Sequence, residues 1–155
     1  MLARLETKVP PVVWALLAMA LVFVLSTVIN DELVPDGRGR VIAGLIALCG
    51  LIVAVSAVAG FGQAKTSVDP HTVGKASTLV TGGVYRFTRN PMYLGLLCFI
   101  IAFGLWRGDA FPTLIGAGAF VAVLNRVQII PEERFLAKRF GAPYRDFKSS
   151  VRRWI

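Results

Sequence analysis

The stretch VIAGLIALCGLIVAVS at residues 41–56 carries no charged side chain, so a helix formed there would have no polar face. A helix of a soluble bundle normally keeps a polar outer face. Three further apolar stretches, residues 9–29, 92–106 and 110–130, share the 155-residue chain with it. Crossing the hydrocarbon core of a bilayer takes about 20 helical residues. The sequence therefore predicts an all-α, multi-pass membrane protein with about four transmembrane helices.

Composition supports one membrane domain over residues 1–155. Apolar residues make up 55% and charged residues 17% of the chain, whereas soluble domains average roughly 25% charged residues. Residues 1–62 contain two plain apolar spans. Residues 63–155 hold nearly all the polar, aromatic and cationic side chains that could do chemistry, so we expect the catalytic core there.

The distribution of basic residues predicts the orientation. If both termini are cytosolic, only Arg38, Arg40 and Arg107 among the 17 Lys and Arg residues lie outside. Cytoplasmic loops of membrane proteins carry this excess of positive charge. We expect both termini in the cytosol and the protein in the cytoplasmic membrane. The net charge of +8 then needs no nucleic-acid partner, and membrane lipids are the expected neighbours.

The cysteines and the single histidine carry little signal. Cys49 and Cys98 each lie inside an apolar stretch, so we expect buried, unreactive thiols, with neither a disulfide nor a metal site. His71 lies on the loop of residues 63–90 and is expected to be solvated rather than a catalytic base. That loop is too long for a simple connector, and we interpret it as an ordered lid or site wall.

The turn at Arg107–Asp109 is short, so the third and fourth spans should form an antiparallel hairpin. This hairpin brings residues 89–93 and 126–133 to the same, cytosolic end. We expect Asn90 to cap the third helix through its side chain and Pro91 to begin it. After residue 131 the chain becomes amphipathic and is interrupted at residues 141–143, which predicts a C-terminal interfacial segment.

The ionisable residues at this end are the functional candidates. Glu132 and Glu133 point about 100° apart on a helix, so they can serve different partners, although they could equally offset the basic residues that follow them. Arg89 could bind an anion or extend towards lipid headgroups. Tyr85 and Tyr93 could face a cation or act as interfacial anchors.

Two linked motifs narrow these options. LVTGGVYR at residues 79–86 is followed by RNPMYLG at residues 89–95, and later by Glu132-Glu133, Leu136, Phe140-Gly141, Tyr144, Val151 and Arg153. Over about residues 64–155 the chain resembles the isoprenylcysteine carboxyl methyltransferase and phospholipid methyltransferase superfamily. The resemblance implies an integral membrane enzyme that uses S-adenosylmethionine and takes a lipophilic acceptor from the bilayer. It implies Arg89 and Tyr93 as catalytic residues, and as cofactor-binding residues Tyr85, Arg89, Asn90, Pro91, Tyr93, Gly95, Glu132 and Glu133.

The acceptor and the reaction class stay open at this point. Many relatives have His where this chain has Asn90, and a missing base disfavours amine and thiol acceptors. A carboxylate is already a nucleophile and needs no base. The acceptor classes are an isoprenylcysteine-like carboxylate, a phospholipid amine or a thiol. The alternatives are an NADPH-dependent membrane reductase of related fold and a non-catalytic membrane module.

Overall fold

A computed structural model describes residues 8–29, 37–63 and 78–155. The described residues form helices and no β-strand, which confirms the all-α prediction. A short 3-10 helix, Gly83–Arg86, precedes the third α-helix, and a π-helical turn, Asn125–Ile129, joins the fourth to the fifth. The α-helices are α1 (Pro11–Ser26), α2 (Gly37–Gln63), α3 (Pro91–Arg107), α4 (Ala110–Leu124), α5 (Ile130–Phe140) and α6 (Ala142–Ser150).

Among the described residues, two helical runs are long and apolar enough to cross a membrane. One is Gly37–Gly62 within α2, and the other is the continuous run Ala110–Phe140, while α1 and α3 are apolar but have only 16 and 17 residues. A core helix of a soluble protein would bury its apolar side chains, whereas α2 leaves most of its own exposed. Exposed apolar surface on this scale indicates a membrane protein. The exposed large hydrophobic side chains of α2 are Val41, Ile42, Leu45, Leu48, Leu51, Ile52, Val55 and Val58.

Helix α3 lies in the middle of the bundle, with α2 on one side and α1 and α4 on the other. Glycines allow the closest approach. A Cβ atom on Gly95 of α3 would lie 2.8 Å from the carbonyl oxygen of Gly50 and 3.0 Å from the Cβ of Ala54, both on α2. Small residues bring membrane helices together in this way because backbone can then pack against backbone.

The turn between α3 and α4 is held by a polar cluster that we call the Arg107 clasp, formed by Phe23, Ser26, Arg107 and Asp109. Arg107 donates from Nε to Asp109 Oδ2 at 2.7 Å and from Nη2 to Ser26 Oγ at 2.7 Å. Its guanidinium also lies 4.9 Å from the centroid of the Phe23 ring. Gly108 adopts a φ of +84°, which suits a glycine at a helix C-terminus. The predicted antiparallel hairpin is thereby confirmed.

The local predictions have different outcomes. Helix α3 begins at Pro91, and the amphipathic segment is broken at Gly141 with a φ of +61°, both as predicted. The prediction that Cys49 is buried is wrong, because its neighbour Gly50 faces α3 and Cys49 lies exposed on the outer side of α2. Cys98 is half-buried. His71 lies outside the described residues.

Candidate functional site

A cavity of about 400 Å³ lies among the end of α2, the start of α3, α5 and α6. Sites for small molecules are typically about 300–1,000 Å³. Residues 78–80 of the long loop contribute to its wall, so the described part of that loop does line the site. Seven of the eight cofactor-binding residues implied by the motifs line this cavity, namely Tyr85, Arg89, Asn90, Pro91, Tyr93, Glu132 and Glu133.

Gly95 is the exception. It lies one turn further along α3, in the contact with Gly50 and Ala54 of α2 rather than on the cavity wall. Any side chain at this position would collide with backbone of the neighbouring helix. The glycine of the motif is therefore a packing residue in this structure, and it holds α3 against α2.

Glu132 is tied to α3 through one of its two carboxylate oxygens. The hydroxyl of Tyr93 donates to Oε1 at 2.6 Å, and Nε2 of Gln128 donates to the same oxygen at 2.7 Å. Both hydrogen bonds use Oε1, and Oε2 takes part in neither of them. Glu132 lines the cavity, so its carboxylate is placed to contact a ligand there.

Gln128 was not among the predicted site residues. Its side chain is only 1% exposed, and its Oε1 atom has no partner among the described residues. The π-helical turn that contains it is of a type that frequently occurs at functional sites. The available signal was its position four residues before Glu132, which places the two side chains on one helical face.

Glu133 points elsewhere and is surrounded by cations. Arg153 donates from Nε to Oε1 at 2.9 Å and from Nη2 to Oε2 at 3.0 Å. Lys148 Nζ lies 3.0 Å from Oε2, and Arg89 Nη1 lies 3.2 Å from Oε1. Both oxygens are thus occupied by charged donors. Arg153 belongs to the motif but was not predicted as a site residue, and Lys148 was not predicted at all. Each lies 15 or more residues from Glu133 in the chain.

Residues 151–154, which we call the C-terminal strap, run alongside the segment that precedes α3. The Arg89 amide donates to the Arg152 carbonyl at 3.0 Å, and the Thr88 hydroxyl to the Arg153 carbonyl at 3.2 Å. Trp154 Nε1 donates to Asn125 Oδ1 at 3.3 Å, so the strap also contacts the π-helical turn.

The strap corrects the prediction for Asn90. This residue occupies the N-cap position of α3, but its side chain makes no capping hydrogen bond. Instead Nδ2 donates to the Arg153 carbonyl at 2.8 Å. The amide group satisfies a carbonyl of the strap, and the predicted cap was wrong because that partner was not visible from the local sequence.

Arg89 has donors that its surroundings do not use. Its side chain is only 10% exposed, and among the described residues neither Nε nor Nη1 has a hydrogen-bond acceptor. The contact with Glu133 is an ion pair without hydrogen-bond geometry. Buried polar groups are normally satisfied. Unpaired guanidinium donors on a cavity wall therefore suit an anionic ligand.

Aromatic rings complete the wall. Tyr85 packs edge-on against Phe61 of α2, with ring centroids 5.7 Å apart. Burial, together with the negative charge of Glu132, raises the pKa of the Tyr85 phenol well above its ordinary value, so the ring stays neutral. Tyr144 of α6 is 2% exposed, and burial raises its pKa as well. Neutral aromatic faces bind both planar rings and cations.

Fold and site together define a helical protein with a membrane-type surface and a small-molecule cavity at one end of its bundle. Residues 39–143 match the phospholipid methyltransferase family, and the chain belongs to that family. The predicted superfamily is thereby confirmed.

Three relatives illustrate the similarity. Protein-S-isoprenylcysteine O-methyltransferase A of Arabidopsis thaliana is 31% identical over 110 residues, which cover 69% of this chain and 54% of that protein. Methanethiol S-methyltransferase 1 of Bradyrhizobium diazoefficiens is 36% identical over 91 residues, or 54% of this chain and 29% of that protein. An uncharacterized protein of Haemophilus influenzae is 44% identical over 64 residues, which cover 41% of this chain and all of that protein. The chain thus spans about half the length of the Arabidopsis methyltransferase and less than a third of the Bradyrhizobium one. No solved structure matches it.

Proposed function

We propose that this protein is an S-adenosylmethionine-dependent methyltransferase that acts on a lipophilic acceptor at the cytosolic membrane face. One observation carries the proposal. The same cavity is lined by Arg89, whose Nε and Nη1 have no hydrogen-bond acceptor among the described residues, and by the carboxylate of Glu132, in a chain of a methyltransferase family.

The cavity residues fit the chemical groups of this cofactor. Its amino-acid end carries a carboxylate and an ammonium, which match Arg89 and Glu132 respectively. Its adenine and its sulfonium match the faces of Tyr85 and the other aromatic rings. Glu133 already has charged donors on both oxygens. The motif-based prediction that both glutamates contact the cofactor is therefore narrowed here to Glu132.

When bound, the cofactor supplies a methyl group on a positively charged sulfur. The protein has to align the acceptor with that methyl group and exclude water. Arg89 lies just before α3 and Tyr93 in its first turn, and Tyr93 is fixed by its hydrogen bond to Glu132. Side chains held in this way offer the preorganised surface that such an alignment requires.

An apolar part of the cavity suits the acceptor. Pro11 and Val12 at the start of α1 face the cavity, as do Val58 and Phe61 near the end of α2. Met92 of α3 also lines this part. Since α2 exposes an apolar outer surface, a lipid chain that arrives from the bilayer would meet only apolar side chains here. The three acceptor classes from the sequence analysis remain candidates.

Ligand binding to the purified protein tests the reaction class. We expect S-adenosylhomocysteine to bind and NADPH not to bind in isothermal titration calorimetry. Transfer of a labelled methyl group should then be measured for prenylated thiols, aminophospholipids and small thiols. Binding of NADPH alone would favour the reductase, and binding of neither ligand would favour a non-catalytic module.

We further propose that the chain crosses the cytoplasmic membrane four times, with both termini in the cytosol. Single cysteines at Arg38 and Ser149, introduced after replacement of Cys49 and Cys98 by alanine, should react with an impermeant maleimide from opposite sides. Labelling of both from one side would refute this topology.

A further inference from the structure

We propose that Arg153 is a positioning residue for cofactor binding, because it occupies Glu133 and so leaves the guanidinium of Arg89 available to an anionic ligand. This inference rests on the proposed function. Arg153 itself does not line the cavity, so it acts through the other two residues.

The geometry at Glu133 supports this competition. Arg153 holds both carboxylate oxygens with two nearly equal hydrogen bonds of 2.9 and 3.0 Å. A bidentate guanidinium–carboxylate pair is the most directional ion pair available to side chains. Arg89 can then approach Glu133 only from one side, at 3.2 Å and without hydrogen-bond geometry. If the fork of Arg153 were removed, Glu133 would be free to take Arg89 as its own hydrogen-bonded partner.

The main chain at residue 153 supports the same role. The Arg153 carbonyl accepts hydrogen bonds from Thr88 and Asn90, the two residues on either side of Arg89. The Arg89 amide donates to the adjacent Arg152 carbonyl. Residue 153 therefore fixes the backbone that carries Arg89 and the carboxylate that competes for its side chain.

Two ligands separate positioning from a general structural role. S-adenosylhomocysteine carries the amino-acid end, whereas 5′-methylthioadenosine lacks it. In Arg153→Gln we expect the Kd of S-adenosylhomocysteine to rise about 10-fold, the size of one lost charge-assisted hydrogen bond, with the Kd of methylthioadenosine unchanged. Arg145→Gln, an exposed charge on α6, is the matched control and should change neither value. Arg153→Lys keeps the charge without the fork and should give a smaller rise.

A double-mutant cycle identifies the route. If Arg153 acts through Arg89, then Arg153→Gln should cost little further affinity in an Arg89→Gln background. Additive losses would overturn the inference, as would an equal loss for both ligands or an unchanged Kd in Arg153→Gln and Arg153→Lys. These outcomes differ from failure of the proposed function, in which the unsubstituted protein would not bind S-adenosylhomocysteine at all.

Discussion

The two ends of α3 each present an arginine beside a carboxylate, yet the two arginines are treated differently. At the Arg107 clasp, the guanidinium is hydrogen-bonded to Asp109 and Ser26 and lies over the Phe23 ring. At the cavity end, Arg89 lies beside Glu133 but keeps buried donors without acceptors. The Arg107 guanidinium finds its partners within the clasp, whereas the Arg89 guanidinium at the cavity end has donors left for a further partner.

The balance of charge shows the same contrast. The clasp pairs one cation with one carboxylate. Glu133 is one carboxylate among three cations, Arg89, Lys148 and Arg153. Unbalanced charge in a poorly hydrated place costs desolvation energy, and perturbed charge clusters of this kind tend to occur at functional sites. The comparison indicates that one end of the bundle holds the helices together, whereas the other end has the excess of cations that the proposed anionic ligand group would require.

The largest expected effect concerns the packing of α3 against α4 near the Arg107 clasp. Gly104 of α3 lies against Thr113 of α4, and a Cβ atom at residue 104 would lie 2.6 Å from the Thr113 Cβ. Such overpacking costs about 1–3 kcal/mol, and we expect Gly104→Ala to lower the free energy of unfolding by about 3 kcal/mol. Gly118→Ala is the matched control, since nothing lies within 4 Å of its Cβ position. Unfolding in mixed micelles measures both, and equal stability of the two variants would contradict the assigned packing.

The next prediction sharpens the division between the two adjacent glutamates. Glu132→Gln should weaken S-adenosylhomocysteine binding roughly 10- to 150-fold, the equivalent of a charge-assisted hydrogen bond, with little change in stability. Glu133→Gln should instead lower the free energy of unfolding by about 2 kcal/mol, because three cations lose their shared partner. The loss is modest because Lys148 and Arg153 are partly exposed to solvent, which weakens their ion pairs. Calorimetry and unfolding of both variants check this, and the reverse pattern would show that the roles were exchanged.

A third prediction compares the two arginines directly. Arg89→Lys should lose most activity and about 10-fold in cofactor affinity, since lysine lacks the planar fork. Arg107→Lys should change the free energy of unfolding but leave turnover per folded molecule unaltered. The variants should insert and fold alike, which detergent extraction and gel filtration would establish. Turnover and affinity of Arg89→Lys equal to those of the unsubstituted protein would mean that Arg89 only contacts headgroups.

The smallest expected effect concerns the strap. Asn90→Ala removes the hydrogen bond to the Arg153 carbonyl and should cost about 1 kcal/mol of stability. Asn90→His retains a donor at this position, so it should remain active. Hydrogen exchange of the peptide that spans residues 88–90 provides the measurement. Unchanged exchange in Asn90→Ala would show that the strap does not depend on this contact.

Local sequence was sufficient for the helical elements and for the general location of the site. Runs without charge predict apolar helices wherever those helices pack. Pro91 and Gly141 mark helix boundaries through their own backbone preferences. The short turn at residues 107–109 forces a hairpin. Seven of the eight residues implied by the motifs consequently lie on one cavity wall. The number of membrane crossings and the cofactor remain predictions.

Tertiary structure alone decided which partner each polar side chain takes. Glu132 and Glu133 are identical in type and adjacent in the chain. Only the tertiary structure gives the first a hydrogen bond from Tyr93 of α3 and the second three cations, two of them from residues 148–153. Asn90 obeys the local rule for a cap position, but its amide is used by a carbonyl 63 residues away. The sequence determines elements because their energetics are local. It leaves these partners open because a hydrogen bond depends on where distant backbone comes to lie.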